Sequence, residues 1–511
     1  MAQASTLLRV GSGSVEPMES WLEAPTPDTP LGFLELERQV LKAGHQQADA
    51  ILEHHLLQAH GNQRFVGRAV REARARHSGR LRHKGQRPTW VLLPGGTRCL
   101  VHTPYLRPAP PRRPGRKRTK RGPNGPGVYP VLEALGFSDG VSPVTRSQLA
   151  LYAVQAGSYQ EAVSLLAEQG VQVERKTLRR VALSTAQADI RLRDMTFEEV
   201  RQVPIDPIGP LAGQRVRVSL DGGRVRTREP HPGRKTKNGR HRFDTPWREP
   251  RMLVIDVLDR KGKSDRLRLP LYDVRLDDAD ATEALVSGYL RLLGAAHAQV
   301  VAFIDDGAPW IWGRRERIRQ QAEIPAKRWV EGLDFYHASE HLHKTIELCR
   351  DRSAAERTQW YERLRHTLRT DPAGVDKVIE ALQPEARGRR TKKLNDAIHY
   401  FVKHRERMRY VALDRRRLPV GSGPVESAIR RVINLRFKAP SIFWEADTVG
   451  DLMHLRAAFK AGRWDELIER VLTHSYPIPS FSRMPRAQVV ATLPDDSEEN
   501  NKPPQVLRGA A

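Results

Sequence analysis

Cysteine is nearly absent: Cys99 and Cys349 are the two in 511 residues. Their distance in sequence argues against a disulfide framework and a cysteine-based zinc module. A reducing compartment fits, and the expected location is the cytoplasm. Aromatic residues are also few, at 6%. No apolar run approaches the roughly 18 residues needed to span a bilayer, and the N-terminus lacks the charged-then-apolar pattern of a secretion signal; no membrane partner is expected. Acidic residues are outnumbered, 60 Asp and Glu against 86 Lys and Arg, which leaves a formal charge of +26. A surplus this large repels itself in a compact chain. A polyanionic partner is the economical reading, and nucleic acid is the commonest one.

The residues that are present fall into blocks. Residues 1–30, rich in Ser, Pro, Thr and Glu, read as a disordered leader. Leu34, Leu36, Val40 and Leu41, then Ile51, Leu52, Leu56 and Leu57, recur at helical spacing. With 89–93 and 98–101 flanking Pro94-Gly95-Gly96, they predict a helical region with a small β-hairpin over 31–104. A Pro/Arg-rich tract over 105–130 cannot build a core and reads as a linker along phosphates, with Arg116, Lys117, Arg118 and Lys120 as contacts. Helical periodicity at 146–156, 159–169 and 174–183, broken at Gly157-Ser158 and Gly170, fits a helix-turn-helix-like DNA-binding domain over 131–200. Its third helix carries Arg175, Lys176, Arg179 and Arg180. A plain three-helix bundle has the same periodicity.

Strand patterns begin near Arg215, at 216–220, 252–258 and 267–274. A helix over 281–296, a strand at 299–304 and a short strand at 333–336 follow. This order predicts an α/β fold, a mixed sheet flanked by helices with an antiparallel meander and a parallel remainder. Residues 205–345 carry this pattern, 346–410 read helical throughout, 411–475 hold the Glu426 helix, and 476–511 reads as a disordered tail.

Three carboxylates carry the chemistry: Asp221 before Gly222-Gly223, Asp306 before Gly307, and Glu426 after Gly421-Ser422-Gly423-Pro424-Val425. A β-rich run ending in Asp-Gly puts a carboxylate at the C-terminal edge of a sheet, facing a cleft. Two such edges can share a metal ion, and a third carboxylate on a nearby helix completes a site for two divalent cations acting on a phosphodiester. Each motif has a plainer explanation. Asp-Gly is a common turn pair, and helix electrostatics favours Glu in a first turn. Of the neighbours Asp305 and Asp306, which point to opposite faces of a strand, one alone can face the metals.

In Ser219-Leu220-Asp221-Gly222, Asp306-Gly307-Ala308-Pro309-Trp310-Ile311-Trp312, Asp334-Phe335-Tyr336-His337, 418–428, Arg436-Phe437-Lys438 and Leu455-Arg456-Ala457, the chain resembles the DDE transposases of bacterial insertion sequences, specifically the Kra-type family. The resemblance covers roughly 130–470. It implies an RNase H-like catalytic core with a helical insertion between the second Asp and the Glu, preceded by a mainly helical DNA-binding region. Asp221, Asp306 and Glu426 match the three acidic metal ligands, with Asp306 favoured over Asp305. His337 is implied to approach the scissile phosphate. Two Mg²⁺ ions, for which Mn²⁺ may substitute, are the implied cofactors. The implied partners are double-stranded DNA, as the element's inverted-repeat ends and as target, and further copies of the chain in a dimer or larger assembly. Relatives often carry N-terminal cysteine pairs that suggest bound zinc; this chain has Cys99 alone there, and zinc is not expected.

Two other readings compete. One is a catalytically inert DNA-binding regulator derived from such a fold. The other is a zinc metallopeptidase, because His337-Ala338-Ser339-Glu340-His341 fits an inverted zinc-peptidase pattern. Basic residues with interleaved aromatics supply further candidate DNA contacts: Arg234, Lys235 and Lys237, with Phe243 and Trp247, in the segment 224–251, and Arg430, Arg436 and Lys438 beyond Glu426. Trp310 and Trp312 are expected in the core. His341 and His343 are expected on a helix surface.

Overall fold

A computed structural model of the protein describes residues 27–77, 81–108, 127–231, 233, 235–239, 241–276, 278–386, 392–439 and 442–484, with the backbone of 9–10 and 13–14. The chain divides into two compact units, 1–188 with 468–475, and 189–467 with 476–511.

In the first unit, strands β1 (Arg9–Val10) and β2 (Gly13–Ser14) pair antiparallel. Helix α1 (Pro30–Gly61) starts where the Thr29 hydroxyl accepts the Gly32 amide at 3.0 Å, with Pro30 at the first helical position. Asn62 caps α2 (Gln63–Arg76). The expected hairpin is longer than its apolar stretch. Strands β3 (Leu81–Leu92) and β4 (Arg98–Pro108) pair antiparallel, with an irregularity between His83 and Gln86 where Gly85 takes a φ of +81°. Buried Asp49 on α1 closes the hairpin loop, its two carboxylate oxygens each accepting an amide, from Gly95 and Thr97, at 2.9 Å. Cys99 is buried beside Glu53, to which its thiol donates at 3.1 Å. Burial, then the neighbouring carboxylate, pushes the thiol up to about 12, so it is a neutral packing group rather than a thiolate ligand.

Three helices follow, α3 (Pro130–Ala134), α4 (Pro143–Gln155) and α5 (Tyr159–Glu168), the last two capped by Ser142 and Ser158. Then comes α6 (Arg175–Arg201). Periodicity had placed its end near residue 183, but no Gly or Pro interrupts 175–201 and the helix continues. The division between units falls inside α6, not after it.

The second unit is built on a five-stranded sheet. In chain order it contains β5 (Arg215–Gly222), a peripheral group of β6 (Val225–Pro230), β7 (Phe243–Asp244) and β8 (Trp247–Arg248), then β9 (Arg251–Val257), β10 (Leu271–Arg275), α7 (Ala279–Leu292) and β11 (Val300–Asp305). Helices α8 (Pro309–Trp312) and α9 (Arg315–Gln321) and strand β12 (Trp329–Leu333) come next. A helical stretch contains α10 (Phe335–Glu347), α11 (Ala354–Thr370), α12 (Gly374–Leu382), α13 (Lys392–Lys403) and α14 (Tyr410–Arg415). Beyond it lie α15 (Gly423–Ile429), a π turn at Arg430–Asn434, α16 (Leu435–Phe437), β13 (Trp444–Glu445), α17 (Ala446–Lys460) and α18 (Trp464–Thr473).

The sheet order is β10-β9-β5-β11-β12. Strands β5, β9 and β10 form the antiparallel meander, and β11 runs parallel to both β5 and β12. The protein is therefore mixed α/β with a mixed sheet flanked by helices. Central strands read apolar because both faces are covered: Val216, Val218 and Leu220 on β5, and Val300 to Ile304 on β11, are all buried. Trp360, Leu364, Val378, Leu382 and Phe401 from the helical stretch share one continuous core with those strands, so the insertion is packed into the unit. No helix among the described residues is long and apolar enough to cross a membrane.

Two expectations need correction. The strand predicted at 333–336 stops at Leu333, because the Asp334 side chain accepts the His337 amide at 2.8 Å and starts α10. The tail predicted to be disordered from 476 is packed through its first nine residues: Phe481 is buried, Met484 donates its amide to the Leu267 carbonyl at 2.7 Å, and Arg463 donates to the Ser480 carbonyl at 2.7 Å. Residues 485–511 and most of the 1–30 leader lie outside the described residues.

Candidate active site

Strands β5 and β11 are adjacent and parallel, so their carboxyl ends lie side by side. Asp221 occupies the end of β5, opposite Met252 of β9, and Asp306 follows β11 directly. Both are half-buried and both line one cleft of about 520 Å³, with Arg224, Trp247, Arg248 and Trp310 among the other lining residues. The Asp221 carboxylate accepts the Gly222 amide at 2.6 Å, and that of Asp306 accepts the Ala308 amide at 2.9 Å. The second bond closes a turn that lets Pro309 begin α8.

Backbone pairing between β5 and β11 runs from Val300↔Arg215 to Phe303↔Val218 and then stops. Side chains continue it. The Ser219 hydroxyl donates to the Ile304 carbonyl at 2.7 Å, and the Leu220 amide donates to the Asp305 carboxyl. Both side chains are fully buried. Asp305 and Asp306 point to opposite faces as strand geometry requires, and Asp306 is the one in the cleft. Burial, reinforced by the charges of Asp306, Asp221 and Asp334, pushes Asp305 well above the usual carboxylate range. It lies under the site, one carboxyl oxygen bonded to the Leu220 amide.

Glu426 sits in the first turn of α15, which packs on β5 and β9. The loop before it is anchored by buried Asp334, whose carboxylate accepts both the amide and the hydroxyl of Ser422, the latter at 2.8 Å. Asp334 thus ties the start of α10 to the Glu426 segment. Partial enclosure first, then the charges of Asp334 and Glu340, raise the Glu426 carboxyl, and His337 lowers it; the glutamate nevertheless keeps an exposed surface. Asp221 is pushed up to about 7, by burial first and then by Asp306, with smaller contributions from Glu426 and Glu249. The three acids therefore share one electrostatic field. They do not form one coordination group: Glu426 is outside the cleft lining, and among the described residues no three His, Cys, Asp or Glu are arranged to hold a metal ion.

A second cleft, of about 470 Å³, shows what an internally neutralised surface looks like. Its Asp280 and Glu283 pair with Arg314 at 2.8 Å and Arg317 at 2.6 Å. Asp221, Asp306 and Glu426 have no such ion pair among the described residues.

His337 lies half-buried on the first turn of α10, its ring 5.2 Å from that of His341. The peptidase-like pattern does not form a site. His341 stacks on Tyr400 at 3.9 Å, and Glu340 pairs with Lys344 at 3.7 Å. Burial, then His337 and Lys344, lowers His341 to about 4; it is half-buried, not on the helix surface as expected, whereas His343 is exposed.

Arg175 and Lys176 are exposed on α6 and Arg179 is half-buried. Arg180 is committed to Asp139 at 2.9 Å. Lys235, Lys237, Arg430 and Lys438 are exposed. Arg436, expected to meet phosphate, is buried, with its guanidinium over the Trp444 ring at 5.0 Å; apolar surface on α16 and β13 encloses it. Arg116, Lys117, Arg118, Lys120 and Arg234 lie outside the described residues. Phe243 and Trp247 are exposed, and arginines lie over them, Arg228 at 4.3 Å and Arg226 at 5.0 Å. Trp312 is in the core as expected, and Trp310 packs against that core while also lining the cleft, with Arg251 over it at 4.9 Å.

Sequence reasoning missed the anchoring role of Asp334, although the residue lies in a motif it singled out. It also missed Tyr400, and it named Asp305 only as the neighbour turned away from the metals, not as the carboxyl that extends the β5–β11 pairing. No protein-family model matches the chain, and no match to a curated protein is found.

Proposed function

We propose that the protein is a DDE-type DNA transposase with an RNase H-like core, which binds the ends of its insertion sequence and catalyses metal-dependent strand cleavage and strand transfer by in-line attack on phosphodiesters. One observation carries the reading: two carboxylates at the carboxyl ends of adjacent parallel strands share an open cleft, neither of them in an ion pair among the described residues, on a chain of charge +26. The sheet order, an antiparallel meander extended by two parallel strands, is the one the strand pattern of the sequence predicts, and it supports this reading of the core.

The donor set fits hard divalent cations, being all carboxylate oxygen. Asp221 and Asp306 would hold the ion, with Glu426 as the third ligand. Bound there, Mg²⁺ or Mn²⁺, two ions in the full site, supplies charge neutralisation at the phosphate and an acidified water or 3′-hydroxyl. The protein's own residues do the rest. Asp221, pushed up to about 7 by burial and by Asp306, would hold the ion in its deprotonated form. Arg224 and Arg248 at the cleft edge attract a phosphate backbone, and exposed Lys235 and Lys237 extend the basic surface. His337, on the side of the site near Glu426, can donate to a phosphate oxygen. DNA ends and target DNA are the partners, and joining two ends calls for a dimer or larger assembly.

The inert DNA-binding regulator remains the second reading, favoured by the position of Glu426 outside the cleft. Incubating the purified protein with DNA carrying its own flanking sequence and Mg²⁺ or Mn²⁺, and mapping nicks to the nucleotide, separates the two. A transposase nicks at the element end, and Asp306→Asn keeps DNA affinity while losing the nick. Binding without any nick selects the regulator.

A further inference from the structure

We infer that Tyr400 is a positioning residue of the acidic cleft, its unpartnered hydroxyl being the donor that captures the Asp306 carboxylate when the cleft takes up a divalent cation. The inference rests on the metal-site reading above. Tyr400 belongs to α13, in the helical stretch, and its ring lies against Gly307, the residue after Asp306. A Cβ at 307 would fall 2.6 Å from the ring and 2.7 Å from the hydroxyl oxygen, so Gly307 is needed for this approach. His341 fixes the ring by stacking, with centroids 3.9 Å apart and planes at 13°, and His404 supports it at 4.9 Å.

The hydroxyl is shielded from solvent and has no hydrogen-bond partner among the described residues. A buried phenol oxygen without a partner is costly, and a structural ring at this place is served as well by phenylalanine. Asp306 is its complement. One carboxylate oxygen accepts the Ala308 amide, and no bond to the other is seen among the described residues. Burial, then the charges of Asp306 and Asp334, keeps the phenol protonated, so toward a carboxylate it can only donate. An unused donor thus lies against Gly307 and an unused acceptor is on the residue before it, and a cation that relieves the repulsion between Asp221 and Asp306 would let them meet. Hydrogen bonds of this kind orient metal-binding carboxylates, and their loss typically weakens metal affinity by about 10–100-fold.

Tyr400→Phe removes the oxygen and keeps the ring. In the full-length, metal-free protein its melting temperature should equal or exceed that of the parent. Its Mn²⁺ dissociation constant, read from the electron paramagnetic resonance signal of free Mn²⁺, should rise about tenfold or more. Tyr400→Ala should lose both melting temperature and Mn²⁺ affinity, because it also removes the packing on Gly307. Mn²⁺ affinity equal to the parent's in Tyr400→Phe overturns the inference. So does a loss of metal-free stability as large as that of Tyr400→Ala, which would mean that the hydroxyl is already bonded in the resting fold. Failure of the parent reading looks different: the unmodified protein and Asp306→Asn would then show the same Mn²⁺ affinity, or none.

Discussion

Two groups of acids in the same sheet unit are treated oppositely. Asp273, in the middle of β10, is fully buried and fully served. It accepts from Arg193 at 2.6 Å, from the Tyr289 hydroxyl at 2.7 Å and from His454 at 2.9 Å, while the other ring nitrogen of His454 meets buried Asp189 at 2.8 Å. Burial alone would raise Asp273, but Arg193 and His454 hold it well below the usual range. Burial alone would lower His454, but Asp273 and Asp189 carry it to about 9. At the carboxyl ends of β5 and β11, by contrast, Asp221 and Asp306 face each other's charge with no ion pair to either among the described residues, and Asp221 rises to about 7. A buried structural charge is tolerated when the fold supplies its counter-charge; one left without it is available to something from outside.

The largest effect should come from removing charge at the unneutralised end. Asp221→Asn should cut strand cleavage by about a thousandfold or more, yet raise the metal-free melting temperature at pH 8 by about 2–4 °C. The sign follows from the shift: a carboxyl raised in the folded state contributes stability that is full below its unfolded pKa and lost as pH rises through about 7. A melting temperature at pH 8 that falls instead would mean that no repulsion is stored there.

At the neutralised group the sign reverses. Arg193→Met takes the arginine from Asp273 and leaves it only His454 and the Tyr289 hydroxyl, and should cost about 3–5 kcal/mol, read from the urea midpoint of that unit. A loss under about 1 kcal/mol would erase the contrast between the two groups.

The same group sets a pH window. His454, raised to about 9, contributes stability that is complete below its unfolded pKa of about 6.5 and is lost as pH rises through about 9. Asp273, held low, contributes above about pH 4 and loses that contribution on acidification. The cluster is therefore strongest between about pH 4 and 6.5. Melts across the alkaline range should show a decline on the order of 3 kcal/mol that His454→Gln flattens.

The smallest effect concerns the surface. Lys235→Gln combined with Lys237→Gln should weaken DNA binding about equally for all sequences, and reduce the slope of log affinity against log salt by about two. An unchanged slope would remove the β6–β9 segment from the proposed contacts.

Much of the scaffold was legible because it is local. Val300 to Ile304 is an unbroken apolar run, as a buried parallel strand needs, and Val216, Val218 and Leu220 alternate with Arg217 and Ser219 at strand period. Asp-Gly at each end announces the turn that leaves the carboxylate at an edge. The errors share a cause, which is that a distant partner decides. The chain leaves the sheet after Leu333 because the Asp334 side chain caps α10 and holds Ser422, 88 positions away. Arg436 looks like a phosphate contact in a basic stretch, but Trp444 and Phe437 cover it. The packing of 476–484 depends on Arg463 and Leu267, which no local composition shows.

From its sequence alone this protein has its charge, its strand and helix order, and the acids that end its two central strands, because periodicity and turn chemistry act over a few residues. The tertiary structure alone decided that Asp305 bonds the Leu220 amide beneath the cleft, that Asp273 is neutralised while Asp221 is not, and that Tyr400 reaches Gly307. Burial and counter-charge are supplied by residues tens to hundreds of positions apart, and only the folded chain brings those together.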